Sequence, residues 1–247
     1  MTGVADGSEL SVLIAGPTGS GKSALALDLA RGCNGIIINA DAMQVYRELR
    51  IVTARPGAGD EAAVAHRLYG LASGDDPYSA GRWRADAMAE ISRAHQSGQP
   101  AIVVGGTGLY FDALLSGLVE MAPIPAEIRD KWRKNLSEQG LGGLRSQLES
   151  KDPEMAARIK PGDRQRTLRA LEVKEATGRS LAWWQENATG KAQLPGAAMR
   201  IVVAPPRALL HQRIEARAEK MIEQGAVEEV RALMAVSYTH LTLPTNT

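Results

Sequence analysis

The sequence predicts an α/β fold in which helices cover both faces of a parallel sheet and a helical segment is inserted. Short apolar runs bounded by glycine or proline alternate with helical patterns, as in parallel sheets that are buried on both faces. Between residues 122 and 195 there is no β-branched run, and leucines recur there at helical intervals. These two sequence patterns separate a sheet domain from a helical insertion.

A local pattern indicates each element. Short apolar or β-branched runs that end at turn residues predict four buried strands, at 11–15, 35–40, 101–104 and 200–204. Apolar residues at helical spacing, followed by stop signals, predict helices at 21–31, 79–97, 109–115, 207–224 and 226–234. Gly32 is expected to end the first of these helices.

The composition excludes several classes of protein. With 44% hydrophobic and 23% charged residues the chain is not of a disordered type, and no apolar run approaches the ~20 residues of a membrane-spanning helix. The single cysteine, Cys33, excludes an internal disulfide, and residues 1–10 have no secretory pattern. We therefore expect a cytoplasmic protein without a membrane partner, and a monomer by default.

The net charge of +1 gives no general case for nucleic-acid binding. Residues 158–179, however, contain seven basic and three acidic side chains. On charge alone this local excess is compatible with phosphate contacts or with an ordinary solvated helix face.

The clearest motif is GPTGSGKS at residues 16–23, a full match to the P-loop pattern. Its glycines let backbone N–H groups surround an anion, and the following helix directs its positive end to the same place. Lys22 adds a charge for phosphate oxygens, and the Ser23 hydroxyl could bind Mg²⁺. The motif lies between a predicted strand and a predicted helix, so we predict a P-loop NTPase-like core that binds a phosphate or diphosphate.

The strand at 101–104 does not end in the carboxylate that hydrolytic P-loop proteins use to hold a metal. It ends in Gly105, Gly106 and Thr107, and Thr107 could be a helix N-cap, a catalytic group or both. An acid instead follows the strand at 35–40, as Asp41. Because the carboxyl ends of parallel strands share one edge of a sheet, Asp41 is suited to act as a general base near the P-loop, although an N-cap role is equally compatible with its position.

These motifs together resemble one family, the tRNA dimethylallyltransferases, also called tRNA isopentenyltransferases. The resemblance spans most of residues 11–235. It is carried by GPTGSGKS (16–23), NADAMQVYREL (39–49), TARP (53–56), DDPYSAGRWRADA (75–87), VVGGTGLY (103–110), DRQRTLRALEV (163–173) and RIEARAEKMIEQGAVEEV (213–230). The P-loop alone is shared with many enzymes, whereas the glycine turn at 105–108 and the segment at 163–173 are much more specific.

The resemblance implies transfer of a dimethylallyl group from dimethylallyl diphosphate to the N6 amine of an adenosine next to the tRNA anticodon. It implies that Asp41 accepts the amine proton, that Thr107 orients the amine or the diphosphate, and that Lys22 and Arg217 face the diphosphate. Ser23 would hold Mg²⁺. The diphosphate would be bound by the whole P-loop, namely Gly16, Pro17, Thr18, Gly19, Ser20, Gly21, Lys22 and Ser23.

The resemblance also implies contacts with the anticodon stem-loop of tRNA, from residues beside the base and from the insertion. The expected contacts are Asp41, Ala42, Met43, Gln44, Thr107, Arg129, Gln165, Arg166, Thr167, Leu168 and Arg169.

The domain organisation follows from the same motifs. We expect a first part of the P-loop core at 1–121, a helical insertion for tRNA binding at 122–195, and a second part of the core at 196–235. Residues 236–247, which hold four of the chain's eleven threonines, are interpreted as a non-native tail, with a genuine C-terminus as the alternative.

The sequence departs from the family at two places. Ala42 stands where the family usually has serine, and the family's basic and aromatic C-terminal helical part is not seen after residue 235. Two other functions stay open at this point: a small-molecule or nucleoside kinase that uses ATP, and an inactive RNA-binding fragment.

Overall fold

The computed structural model describes residues 9–76, 78–118, 123–187 and 194–235. These residues form five strands and ten helices. The strands are β1 (Leu10–Ala15), β2 (Ile36–Asn39), β3 (His66–Arg67), β4 (Ala101–Gly105) and β5 (Ala197–Val202). The helices are α1 (Lys22–Cys33), α2 (Ala58–Ala63), α3 (Ala80–Gln96), α4 (Gly108–Ser116), α5 (Ala126–Lys151), α6 (Pro153–Arg158), α7 (Arg164–Thr177), α8 (Leu181–Glu186), α9 (Arg207–Glu223) and α10 (Ala226–Ala235).

The chain divides into two compact units. One comprises Met1–Gly117 together with Lys191–Thr247, and the other comprises Leu118–Gly190. The expected insertion at 122–195 is thus close to the second unit, whose first residue is 118 and whose last is 190. The expected tail at 236–247 lies outside the described residues. In the ranges that the structure describes, no helix is both long and apolar enough to cross a membrane.

The first unit contains a parallel sheet with strand order β3-β2-β4-β1-β5. All four strand pairs are parallel, and β1 is bonded to β4 on one side and to β5 on the other. Parallel pairing requires a crossover between successive strands, which the helices supply. The predicted α/β fold of the P-loop NTPase type is confirmed.

Successive side chains of a strand point to opposite faces of the sheet, and helices pack against both faces of its central strands. In β2, Ile37 packs with α1 residues on one face, whereas Ile36 and Ile38 pack with α3 and α4 on the other. Trp83 of α3 stacks on Tyr110 of α4 with ring centroids 4.2 Å apart. This two-sided burial explains why β2 and β4 are continuous apolar runs without alternation. The prediction of a buried strand at 200–204 is wrong, because β5 runs from Ala197 to Val202 at the edge of the sheet and is exposed along most of its length.

Two local predictions need correction. Helix α1 continues through Gly32 to Cys33, and Asn34 takes the left-handed conformation there with φ 52°. Asparagine tolerates this conformation, so Gly32 is not needed as the stop. The short elements α2 and β3 have no counterpart in the prediction, because two to six residues carry too little periodicity to recognise.

The second unit is helical. Trp132, Leu136, Leu144 and Leu148 of α5 form its core with residues of α6, α7 and α8. Helix α5 is interrupted at Gly140, which has φ 65°. A residue with a side chain rarely adopts this conformation, so glycine permits the break.

Candidate active site

The strand order brings three loops to one edge of the sheet. The P-loop at residues 16–23 follows β1, Asp41 follows β2, and the turn from Gly105 to Thr107 follows β4. Because β4 lies between β1 and β2, its turn lies between the P-loop and Asp41. Ligands of open parallel sheets bind at such a carboxyl edge.

The P-loop has the backbone of an anion cradle. Gly19 and Gly21 have φ of 79° and 92°, which side chains rarely adopt, and Gly21 is the N-cap of α1. The N-cap residue itself makes no side-chain capping bond, and the Lys22 N–H at the start of the helix donates to Ser20 Oγ at 3.4 Å. A phosphate at this position would receive the backbone N–H groups of the loop together with the positive end of α1.

Lys22 lies in this cradle with its ammonium group donating to the Pro17 carbonyl at 3.2 Å. Burial lowers the pKa of Lys22 from its usual value of 10.5; the Asp41 carboxylate opposes this shift, and the Arg217 guanidinium adds to it. The geometry brings Lys22 and Asp41 together, two residues predicted to be catalytic, since Lys22 Nζ and Asp41 Oδ2 would each lie 3.8 Å from a Cβ on Gly106.

Helix α9 supports the P-loop from outside. Arg213 donates to the carbonyls of Gly19 and Ser20, both at 3.4 Å. A Cβ on Gly19 would lie 3.2 Å from Ile214, so this helix packs closely against the loop. Arg217 is one helical turn beyond Arg213 on the same helix.

Asp41 is held rigidly through its own backbone. Its N–H donates to Asn39 Oδ1 at 2.8 Å, and Asn39 Nδ2 donates to the carbonyls of Asp41 and Leu68 at 3.0 and 3.1 Å. Asn39 is fully buried, and its own carbonyl accepts a 2.7 Å bond from Trp83 Nε1. The sequence prediction missed this role of Asn39, although an asparagine at a strand end is a signal for such local bonds.

The Asp41 carboxylate has one oxygen engaged and one directed into the site. Oδ1 accepts the Met43 N–H at 2.9 Å. Oδ2 would lie 3.8 Å from a Cβ on Gly106, and Lys22 Nζ would lie at the same distance from it. The base and the lysine therefore border a common space above Gly106, which a methyl group on this residue would fill in ordinary van der Waals contact with both.

The turn after β4 combines a structural and a functional position. A Cβ on Gly105 would lie 2.0 Å from the Ala40 carbonyl oxygen, so β4 and the end of β2 touch through backbone alone. Thr107 is the N-cap residue of α4, but its side chain makes no capping bond. Its hydroxyl instead accepts the Ala42 N–H at 2.9 Å, which ties the turn to the segment that carries Asp41.

A cavity of about 280 Å³ lies beside Ser23. Gln44, Arg55, Asp60 and Tyr69 provide its polar lining, and Ala24, Leu27, Ile37 and Val104 provide apolar surface. Burial lowers the pKa of Arg55 and raises that of Tyr69. The sequence motif TARP indicated no role for Arg55, because the placement of Arg55 in this cavity depends on tertiary structure.

The predicted tRNA contacts of the second unit lie mainly on its surface. Arg129, Gln165, Arg166 and Arg169 are exposed. Arg169 lies 3.8 Å from the Glu172 carboxylate. Burial raises the pKa of Glu172, and the charges of Arg169, Arg129 and Arg133 oppose that shift.

Two other predicted contacts are less accessible. Leu168 is partly buried against the core of the second unit. Thr167 is fully buried, and its hydroxyl donates to the Asp163 carbonyl at 2.7 Å. The Thr167 side chain is thus engaged within the second unit, and the contact between Thr167 and RNA stays a prediction.

Residues 44–245 match the family model described as IPP transferase. The chain belongs to the IPP transferase family. Membership confirms the resemblance inferred from the sequence motifs and the class of enzyme, a prenyl-group transferase.

The relatives within this IPP transferase family are close. A tRNA dimethylallyltransferase of Azorhizobium caulinodans is 50% identical over 226 residues, which cover 92% of this chain and 72% of the relative. A tRNA dimethylallyltransferase of Nitrobacter hamburgensis is 51% identical over 232 residues, covering 94% and 73%.

Solved structures give the same result for the fold. A eukaryotic dimethylallyltransferase acting on tRNA matches with a TM-score of 0.75 and 28% identity, covering 92% of this chain and 56% of that one. A full-length tRNA isopentenylpyrophosphate transferase from Bacillus halodurans matches with a TM-score of 0.62 and 29% identity, covering 93% and 71%.

Proposed function

We propose that the chain transfers the dimethylallyl group of dimethylallyl diphosphate to the N6 amine of an adenosine beside the tRNA anticodon. The observation that carries the proposal is the space above Gly106, which Asp41 Oδ2 and Lys22 Nζ both border. A base on one side and a phosphate-binding cation on the other are what substitution at an allylic carbon requires. The names of the relatives supply the substrate classes, a prenyl donor and tRNA.

On the donor side, the chain binds the diphosphate and stabilises it as it leaves. The N–H groups from Thr18 to Lys22 and the positive end of α1 receive its oxygens. Lys22 and Arg217 balance the negative charge that grows as the bond between the allylic carbon and the diphosphate oxygen breaks. Arg213 keeps the loop in place through the carbonyls of Gly19 and Ser20.

A magnesium ion fits the donor side. The Ser23 hydroxyl lines the cavity beside the P-loop, at the first turn of α1. Among the described residues, no three His, Cys, Asp or Glu side chains cluster to hold a metal. In the P-loop motif the Ser or Thr hydroxyl contacts the Mg²⁺ that substrate phosphates and water also hold, so Ser23 would be its protein ligand. When bound, the ion would neutralise charge on the diphosphate.

On the acceptor side, Asp41 removes the proton. The N6 nitrogen forms a bond to the allylic carbon, its proton passes to Asp41 Oδ2, and diphosphate departs. Oδ1 stays bonded to the Met43 N–H, which fixes the orientation of the carboxylate. Thr107 is held beside the base through the Ala42 N–H, and its hydroxyl proton is available to the amine or the diphosphate.

The RNA would be an anticodon stem-loop, with the target adenine unstacked into the site as base-modifying enzymes require. Ala42, Met43 and Gln44 follow Asp41 in sequence and are the proposed RNA contacts beside it. The exposed arginines of the second unit, Arg129 and Arg169 among them, supply positive charge for the RNA backbone. The monomeric state and the cytoplasmic location stay predictions.

The test is mass spectrometry of tRNA nucleosides after incubation with dimethylallyl diphosphate and Mg²⁺. We expect N6-dimethylallyladenosine with the wild-type chain, and a rate lower by about 10²–10⁴ for Asp41→Asn. Asp112→Asn is the matched control, because Asp112 is an exposed residue of α4. Full activity of Asp41→Asn would remove Asp41 as the base.

A thermal-shift comparison tests the donor class separately. We expect dimethylallyl thiodiphosphate with Mg²⁺ to raise the melting temperature more than ATP does. Stabilisation by ATP without stabilisation by the thiodiphosphate would favour a kinase and would overturn the proposal.

A further inference from the structure

The carboxylate of Glu229 accepts hydrogen bonds from the backbone N–H groups of three consecutive residues that lie 177–179 positions earlier in the chain. Oε1 accepts from Arg50 and Ile51 at 2.7 and 2.8 Å, and Oε2 accepts from Ile51 and Val52 at 3.0 and 2.9 Å. Hydrogen bonds to an ionised acceptor are roughly twice as strong as neutral ones. Helix α10 thereby holds the turn at residues 50–55.

This turn leads directly to the site. The Ala54 N–H donates to the Ile51 carbonyl at 2.9 Å, and the Arg55 N–H donates to the Arg50 carbonyl at 3.0 Å. The carbonyls of Thr53 and Ala54 accept from Gln44 Nε2 at 2.8 and 3.0 Å. Both amide hydrogens of Gln44 are thus engaged by the turn, which fixes the direction of its side-chain oxygen.

The residues held in this way line the cavity beside Ser23. Gln44, Ala54 and Arg55 are all part of its wall. Arg55 is further anchored by donating to the carbonyls of Tyr46 and Arg47, at 3.4 and 3.2 Å. Movement of the turn would therefore move an amide and a guanidinium group at the edge of the P-loop.

We propose that Glu229 is a positioning residue for donor binding, which it serves without touching the donor. Its carboxylate holds the 50–55 turn, and the turn holds Gln44 and Arg55 in the wall of the cavity beside Ser23. The inference rests on the proposed function, since it takes the donor to be bound at the P-loop. Removal of the carboxylate leaves three adjacent N–H groups without their common acceptor, so the turn loosens and the cavity wall with it.

The neighbouring residue provides a matched control. Glu228 lies on the same helix and is largely exposed, and its carboxylate pairs with Arg231 at 3.4 Å. Exposed pairs of this kind contribute little to stability. Substitution of Glu228 changes the charge of α10 by the same amount as substitution of Glu229, but it leaves the turn intact.

The experiment compares Glu229→Ala and Glu229→Gln with Glu228→Ala and Glu228→Gln. Amide hydrogen exchange reports the N–H groups of residues 50–52, and calorimetry reports the Kd for dimethylallyl thiodiphosphate with Mg²⁺. For Glu229→Ala we expect exchange at these amides and the Kd each to rise about tenfold or more, as for the loss of a charge-assisted bond. Glu229→Gln should show a smaller rise, because its amide oxygen still accepts, and both Glu228 variants should stay within about twofold of wild type.

A double-mutant cycle with Gln44→Ala separates positioning from a general loss of stability. If Glu229 acts through the turn, the variant that carries both Glu229→Ala and Gln44→Ala binds dimethylallyl thiodiphosphate more tightly than two independent effects predict. The reason is that Gln44→Ala has already removed one of the groups that the turn positions. Strictly multiplicative effects would overturn the inference.

Three further outcomes decide the matter. If exchange at residues 50–52 rises while the Kd stays at the Glu228→Ala value, the turn is held by Glu229 but does not position the donor, and the inference fails alone. If the wild-type chain does not bind the thiodiphosphate, the proposed function fails and the inference fails with it. Should Glu229→Ala not fold, the comparison of Glu229→Gln with Glu228→Gln decides.

Discussion

The two adjacent glycines after β4 are expected to respond in opposite ways to the same substitution. A Cβ on Gly105 would lie 2.0 Å from the Ala40 carbonyl oxygen and 2.1 Å from its carbon, whereas comfortable contacts between such atoms need about 3.5 Å. A Cβ on Gly106 would meet its nearest atoms, Gly16 O, Asp41 Oδ2 and Lys22 Nζ, at 3.5–3.8 Å. One methyl group therefore collides with the core, and the other enters the site without a clash.

The magnitudes follow from these distances. Gly105→Ala requires a shift of more than about 1 Å between β4 and β2, in an interior that packs too densely to absorb it. Its cost belongs at the upper end of the overpacking range, about 3 kcal/mol, which lowers the melting temperature by about 6–12 °C. For Gly106→Ala, which has no left-handed φ to strain, we expect a change in the free energy of unfolding within about 1 kcal/mol.

Activity should separate the two variants further. The methyl group of Gly106→Ala occupies the space where the proposed acceptor nitrogen lies between Asp41 and the diphosphate. Displacement of a reacting atom by about 1 Å costs about 100-fold, so we expect kcat/KM for tRNA prenylation to fall by at least that factor with the melting temperature retained.

The assay for both variants is a thermal melt followed by circular dichroism, together with nucleoside mass spectrometry for kcat/KM. A Gly106→Ala variant with wild-type kcat/KM would refute the placement of the reacting atoms above Gly106. A Gly105→Ala variant that melts at the wild-type temperature would refute the close approach of β4 and β2.

Three further predictions concern the cradle, the base and the second unit. Burial lowers the pKa of Lys22 from its usual 10.5, so as the pH rises the ammonium loses its proton before pH 10.5 is reached. The Kd for dimethylallyl thiodiphosphate should therefore begin to rise with pH below pH 10.5. A rise that begins only at or above pH 10.5 would contradict this. In the same window the unfolded chain binds more protons at Lys22 than the folded chain, so this group's contribution to stability increases with pH. Asn39→Ala leaves the Asp41 N–H and the Leu68 carbonyl without a buried partner, and urea unfolding should show a loss of at least about 2 kcal/mol; an unchanged midpoint would count against the Asn39 network. Leu148→Ala, at a fully buried position of the second unit, should cost that unit about 2–5 kcal/mol, visible as faster hydrogen exchange in α5 and α7, and leave the thiodiphosphate Kd unchanged; equal exchange in wild type and variant would refute it.

The elements that could be predicted are those whose signal is local. β2 and β4 are continuous apolar runs because both of their faces are buried, and α3 shows its buried residues at helical spacing from Trp83 to Ala94. The boundary at Gly32 was predicted wrongly because the helix found an alternative stop two residues later, at Asn34. The strand β3 could not be predicted, because two residues have no period.

The same distinction holds for the site. Lys22 and Ser23 belong to a motif whose function depends on its own backbone, so their position could be predicted from spacing alone. Arg213 and Glu229 act on residues distant in the chain: Arg213 bonds to the P-loop, and Glu229 contacts a turn 177–179 residues away. No pattern within one segment reports such a contact, since each partner alone resembles an ordinary surface charge.

Local sequence thus specifies the phosphate cradle, an acid at a strand end and a glycine turn, since each depends on the conformational preferences of neighbouring residues. The pattern of parallel strands also predicts that they share one edge of the sheet, but only the folded chain decides which of the three loops lie next to each other there. The strand order places β4 between β1 and β2, so that the turn at Gly106 separates Asp41 from Lys22. The physical reason is that strand order is set by which buried faces pack together across long sequence separations, and the residues of any one strand do not encode it.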